Sequence, residues 1–393
     1  MRFLVGRDAF VEALSTAVKI LPARSPIPIL DTVLLKVEGQ TLEIAATNMD
    51  ISLRERLSVA EAEDGSVAVQ GKHLFNTVSS LRGPSLAFRL EDRALCLKHD
   101  GGKYNFAGFS PDEFPRIRQL PDVPGFQVKT SDVREGLSAV SFCAAREDPR
   151  VFLTGVLWEM RPGEMRFVAS DSQRLGLWRK NADADGSASA IISRSMAELI
   201  RNLSGENLEM RIEDDFIYVS HEKGYVLSRL IPGPYAPYES VIPGDPGNAL
   251  VVPGNEFADK LRRVLEFTEP PLNTVRLILE GSTARLVAHS AAGSADEPLS
   301  VEYHGPDMTL GLSGKMFLEV LRAIRSDTLT VRIYSSTAPF KVEPSSPEPG
   351  EETLYLVMPV KLEEEFLARE EPEEEEEPEE FEDYEEEEEG EEF

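Results

Sequence analysis

Phe10-Val11-Glu12-Ala13-Leu14-Ser15-Thr16-Ala17-Val18 decides the fold, because its apolar spacing returns twice further along the chain. Phe10, Leu14, Ala17 and Val18 fall on one face of a helix. The same offsets from Val133 give Leu137, Val140 and Ser141, and from Phe257 they give Leu261, Val264 and Leu265. These starting points lie 123 and 124 residues apart. A second helical pattern follows on Leu74, Val78 and Leu81, then Met196, Ile200 and Leu203, then Phe317, Leu321 and Ile324, at spacings of 122 and 121 residues.

Between the two helices of each unit lies a pair of strand-like segments: 32–37 with 41–46, 155–160 with 164–169, and 274–279 with 284–289. After the second helix the alternation resumes at 85–97, 207–219 and 328–342. Two helices and several strands recurring in one register mean an internal triplication. The predicted fold is therefore α+β, three repeated domains of antiparallel sheet with two helices each. The Pro/Gly-marked segments 121–125 and 243–247 serve as linkers, which gives domains 1–124, 125–248 and 249–362.

Residues 363–393 break the pattern. They hold 21 acidic residues and one base, Arg369, so −20 of the chain's formal charge of −29 sits there and −9 is left for residues 1–362. Such a self-repelling segment is expected to be a disordered acidic tail. Two readings of it stay open: a solubility extension with no specific role, or a regulatory strand that competes with partner peptides or repels DNA from the outer face, Phe366 and Leu367 being close enough to fold back.

Within 1–362 the sign reverses locally. The windows 72–82, 194–204 and 315–325 hold Lys72, Arg82, Arg194, Arg201, Lys315, Arg322 and Arg325 against only Glu198 and Glu319. The first helices add Lys19, Arg24, Arg134, Lys260, Arg262 and Arg263. Bases repeated on equivalent helices make a track suited to phosphates and indifferent to base sequence. An ordinary solvated helix face explains any one of them equally well.

Four stretches resemble the beta subunit of bacterial replicative DNA polymerase, the sliding clamp family, over essentially all of residues 1–362. They are Pro22-Ala23-Arg24-Ser25-Pro26-Ile27-Pro28-Ile29-Leu30, Ala169-Ser170-Asp171-Ser172-Gln173-Arg174-Leu175, Tyr235-Ala236-Pro237-Tyr238 and Tyr355-Leu356-Val357-Met358-Pro359-Val360-Lys361-Leu362. The last is the most specific, being similar to the string that normally ends a family member.

The resemblance implies a non-catalytic processivity subunit, a head-to-tail homodimer forming a ring around double-stranded DNA. It implies as partners the replicative polymerase catalytic subunit, the clamp loader and other clamp-binding-motif proteins. The expected DNA-facing residues are Arg24, Lys72, Arg146, Arg150 and Arg194. The expected dimer interface carries Lys103, Tyr104, Phe106, Phe267 and Leu272, for which core packing is the alternative. A partner-peptide pocket is expected from Leu153, Ser170, Arg174, Leu175, Val241, Val357, Met358, Pro359 and Leu362. Where the family turn has Gly and His, this chain has Ser172 and Gln173, and the family's nearby Pro and Arg fall at Ala236 and Ser240.

No catalytic residues, metal or cofactor are predicted: there is no Gly-rich phosphate loop or GxSxG elbow, and His73, His99, His221, His289 and His304 follow no metal-ligand spacing. Asp171 has no base placed to make it a catalytic acid. Cys96 and Cys143 are too few for a disulfide framework and read as buried thiols. Apolar runs fall well short of the ~20 residues of a membrane helix. The N-terminus reads as a first strand rather than a signal peptide, so a cytoplasmic, nucleoid-associated protein is expected.

Overall fold

The protein was described from a computed structural model, which defines residues 1–362 apart from Asp245; the expected acidic tail lies outside the described residues. Met1–Val360 forms one compact unit. Its α-helices are α1 (Arg7–Ile20), α2 (Gly71–Ser80), α3 (Thr130–Val140), α4 (Arg194–Arg201), α5 (Gly254–Val264) and α6 (Gly314–Ala323). They form three pairs, one per repeat.

The apolar stripe of each first helix is its buried face. Phe10, Leu14, Val133, Leu137, Val140, Phe257, Leu261 and Val264 are all fully buried. Each helix pair closes over an aromatic cluster: Phe3, Phe10 and Phe88 in the first repeat, Trp158, Phe167 and Trp178 in the second, Phe257, Phe317 and Phe340 in the third. Ring centroids within each cluster lie 5.0–6.4 Å apart. A buried Phe contributes roughly 2–3 kcal/mol relative to an exposed one, so these clusters anchor the cores.

The second helices stop sooner than their anchor spacing predicts. Leu81, Leu203 and Ile324 all lie just past the last helical residue, although all three are packed against the core. In two repeats a base from the first helix satisfies the carbonyls that this early stop leaves open. Arg7 donates to Ser79 O at 2.7 Å and Leu81 O at 2.9 Å, and Arg134 donates to Arg201 O at 3.0 Å and Leu203 O at 3.1 Å. These bases hold helix ends.

The repeats are joined through their sheets. A 13-stranded sheet carries the first repeat into the second, through Ile51–Ser58 paired antiparallel with Gly224–Arg229. A 9-stranded sheet carries the second into the third, through Arg174–Asn181 paired with Glu351–Val357. In both seams the third strand of one repeat's four-stranded group meets the closing strand of the next repeat. By the same rule the third repeat should offer Gly293–Leu299 and the first should receive on Gly102–Phe109. Gly293–Leu299 is the last strand of its 4-stranded sheet. Gly102–Phe109 meets its outer neighbour only at Gly108 and Phe109, leaving the edge of 102–107 open.

The first seam encloses a pair of titratable side chains. Glu55 and His221 are almost wholly buried with Oε1 and Nε2 3.5 Å apart, and Lys223 pairs with Glu12 at 2.6 Å beside them. Glu55 Oε2 and both His221 ring nitrogens have no hydrogen-bond partner among the described residues. Burial pushes the Glu55 carboxyl up to about 7, Lys223 pulling it down and Glu12 adding to the rise; burial likewise pushes His221 down to about 4.

The folded seam thus favours protonated Glu55. That stabilisation is complete below the carboxyl's ordinary 4.5 and lost as pH rises through about 7. The His221 contribution runs oppositely, present above 6.5 and lost as pH falls through about 4. Glu55→Gln should therefore gain stability relative to the parent between pH 5 and pH 8, by up to about 3 kcal/mol. Urea unfolding at both pH values checks this; an unchanged difference would refute it.

Candidate partner pocket and nucleic-acid face

The pocket forms where the second seam meets the loop that leaves the second repeat. Leu175 and Leu356 are cross-strand partners in that seam. Together with Leu153 they form a buried apolar floor, and Met358 and Val241, 42% and 55% exposed, stand at the rim. Phe152, the 235–238 segment and Pro339 complete a hollow of about 310 Å³. That size and chemistry suit one or two apolar side chains of a peptide.

Of the residues predicted for this pocket, Leu153, Ser170, Arg174, Leu175, Val241 and Met358 line it. Val357 does not. It is 2% exposed and packed in the main core, because successive strand residues point to opposite faces and Leu356 occupies the pocket side. Pro359 is half-buried and is also absent from the lining. Leu362 falls outside the compact unit, and the pocket is defined without it.

Arg174 is the polar keystone. Only 8% exposed, it donates to Asp171 Oδ2 at 3.0 Å, Glu319 Oε2 at 2.6 Å, Phe142 O at 2.8 Å and Met316 O at 3.3 Å. Its guanidinium lies 5.0 Å from the Phe142 ring centre. Asp171 is therefore a structural carboxylate, and its Oδ1 also accepts from the backbone N–H groups of Gln173 and Arg174. The turn this forms puts Ser172 at φ +73°. A non-glycine residue pays about 1 kcal/mol or more there, but Ser172→Gly also removes the hydroxyl that accepts from Arg150 and adds unfolded-state entropy, so it should leave stability within about 0.5 kcal/mol of the parent. Urea midpoints of the two proteins measure it.

Arg150, expected to face DNA, lines the pocket, bound to Asp148 at 3.0 Å and donating to Ser172 Oγ at 2.6 Å. Its contact with Asp148 holds that carboxyl below the ordinary carboxylate range. The other predicted bases lie on or beside the helices. Arg24 and Arg146 are exposed; Lys72 donates to Pro22 O at 2.8 Å and Arg194 to Ala144 O at 2.6 Å. Lys19, Arg24, Arg82, Arg146, Lys315 and Arg322 are exposed and have no carboxylate partner within 4.0 Å among the described residues.

At the predicted interface, Lys103 and Tyr104 lie on the open-edged strand, and Lys103 pairs with Glu91 at 3.3 Å. Phe106 is turned inward, 3% exposed, with its ring 5.6 Å from His73; it can serve a junction only through its strand. Phe267 is half-buried against the core, whereas Leu272 is 49% exposed. Both cysteines are buried and free. Among the described residues no group of His, Cys, Asp or Glu is placed to hold a metal ion, and no helix is long and apolar enough to cross a membrane.

Comparison with known proteins agrees with this architecture repeat by repeat. The DNA polymerase III beta subunit family matches through its N-terminal domain at residues 1–118, its central domain at 127–237 and its C-terminal domain at 239–361. The chain is similar to the beta sliding clamp of Synechococcus elongatus, 26% identical over 381 residues, and to that of Pseudomonas aeruginosa, 25% identical over 370. Each alignment covers 92% of this chain and 100% of the relative. The crystal structure of the Thermotoga maritima DNA polymerase III beta subunit superposes with a TM-score of 0.87 at 25% identity, again over 92% and 100% of the two chains. That of Pseudomonas aeruginosa gives 0.84 at 24%. With its three domains matched in order across nearly all of residues 1–361, the chain belongs to the DNA polymerase III beta subunit family, the bacterial sliding clamps.

Proposed function

We propose that two copies of this chain close head to tail around duplex DNA, and that the ring tethers a replicative polymerase through a peptide seated in the Leu153–Leu175–Met358 pocket. The observation that carries this reading is the repeated seam. Both internal joints pair a repeat's third strand with the next repeat's closing strand, and one strand of each kind is left with its edge open, over 102–107 in the closing strand of the first repeat. Pairing Gly293–Leu299 of one copy with Gly102–Phe109 of another continues the rule. A heterologous contact of this sort yields a closed ring when its rotation closes.

Such a ring needs no catalytic group and little affinity. Because it is linked to DNA, its bases have only to keep the duplex centred, and weak phosphate contacts leave it free to slide. Arg24, Lys72, Arg146 and Arg194, with the unpaired bases beside them, supply that charge within an acidic whole. The clamp loader and other DNA-processing partners would use the same pocket in turn, in the cytoplasm at the nucleoid.

Retention on nicked circular DNA tests the reading. The loaded protein should co-elute with circular DNA through a sizing column in moderate salt and be released when the circle is cut once. Persistence on the linear product, or a monomer in sedimentation at micromolar concentration, would sink it.

A further inference from the structure

Beyond Tyr235 two further hollows adjoin the pocket. A second hollow of about 310 Å³ shares Tyr235, Ala236, Pro237 and Tyr238 with it and adds Leu157, Arg161, Ser189 and Pro234. A third, of about 350 Å³, shares Ser189, Pro234 and Tyr235 with the second and runs on past Ile191, Ile231 and Arg229. The three adjoin one another along the second repeat, with the 234–238 segment as their shared wall.

The floor of the two further hollows is the edge of a sheet. Ala188–Ser193 is the terminal strand of the 9-stranded sheet, paired on one side with Gly155–Arg161. Ile231 N donates to Ile191 O at 2.9 Å, so the backbone groups of Ile191 point away from the sheet. In an antiparallel ladder this direction alternates, so the N–H and C=O of Ser189, two residues away, point outward too. Among the described residues no backbone group takes them up. The Leu230–Ile231 segment covers one rung of the edge and leaves the next open within the groove.

We propose that this groove seats the residues flanking the anchor of a partner peptide, in extended conformation, adding a short strand beside Ser189. The inference rests on the peptide-pocket reading above and deepens it. The occupant follows from adjacency: the second hollow shares Tyr235 to Tyr238 with the pocket, so a chain anchored against Leu175 and Met358 that crosses this segment reaches it. Main-chain pairing at an open edge supplies affinity without demanding a particular sequence. Leu157, Ile191, Ile231 and Pro234 favour small apolar side chains in alternate positions.

Titration calorimetry on the full chain with two synthetic probes tests this. One is a hexapeptide bearing leucine and phenylalanine anchors; the other is the same hexapeptide extended at both ends by six residues of Ser, Thr and Val. The longer probe should bind at least tenfold more tightly. Ser189→Pro, which removes the outward N–H without touching the inner ladder, should erase that advantage and leave the short probe unaffected. Ser189→Ala should preserve it. Equal affinities for the two probes, or an advantage that survives Ser189→Pro, would overturn the groove while leaving the pocket standing. Failure of both probes to bind would overturn the pocket reading, and this one with it. Hydrogen exchange of the Ser189 amide in the unmodified chain gives a variant-free check. It should slow with the long probe only, and an amide unaffected by either contradicts the proposal.

Discussion

Arg174→Ala is expected to cost about 3–5 kcal/mol of stability and to abolish peptide binding. The side chain is 8% exposed and joins three elements at once: the Asp171 turn, the Phe142 carbonyl after α3, and Met316 and Glu319 on α6. Truncation leaves Asp171, itself 13% exposed, as a buried carboxylate stripped of its cation. The carbonyls of Phe142 and Met316 lose their donor as well. Leaving such groups unsatisfied is more expensive than the bonds were favourable. Arg174→Met restores most of the packing over Phe142 but no charge, so it should recover only part of the loss. Denaturant unfolding followed by tryptophan fluorescence reports directly, since Trp158 and Trp178 lie in the same repeat. A loss below 1 kcal/mol would show that the network is not structural.

Gly224→Ala should be comparably damaging at the other seam. A Cβ at this position would meet Arg54 O at 1.9 Å and the Glu55 Cα at 2.9 Å, both in the backbone of the partner strand. No side-chain rotation relieves that contact, so the two strands must part. Since this ladder is the main hydrogen-bonded link between the first and second repeats, the expected loss is about 4 kcal/mol or more. Amides of the Ile51–Ser58 strand should exchange faster, while those of the third repeat should not. Uniform protection across the chain would contradict the close packing of this seam. The same opening would expose Glu55 and His221 to water and should flatten the pH dependence expected of the parent.

The extent to which the pocket was legible followed the reach of each signal. Strand alternation was sufficient to separate Leu356 from Val357, since adjacent residues cannot face the same side. The motif string nevertheless pointed to Val357, and Leu356, which lines the pocket, was passed over. Arg150 is different: its place depends on Asp148 and Ser172, the latter 22 residues away, and no local periodicity encodes that meeting. Pro339 enters the wall from the third repeat for the same reason. Phe106 shows the converse: the resemblance placed it at a subunit interface with core packing as the alternative, and its side chain is turned into the core, 3% exposed.

By itself the sequence determined the threefold repeat, the apolar faces of the helices and the class of the fold. These rest on spacings of two to four residues and on a period of about 120, all of which are written along the chain. Only the tertiary structure decided which strand edges are closed and which stay open, which bases are held by helix ends and carboxylates, and which hollows adjoin the pocket past Tyr235. Each of those depends on residues brought together across two repeats. Such meetings are fixed by sheet register and by the packing of buried side chains, and neither is encoded in local periodicity.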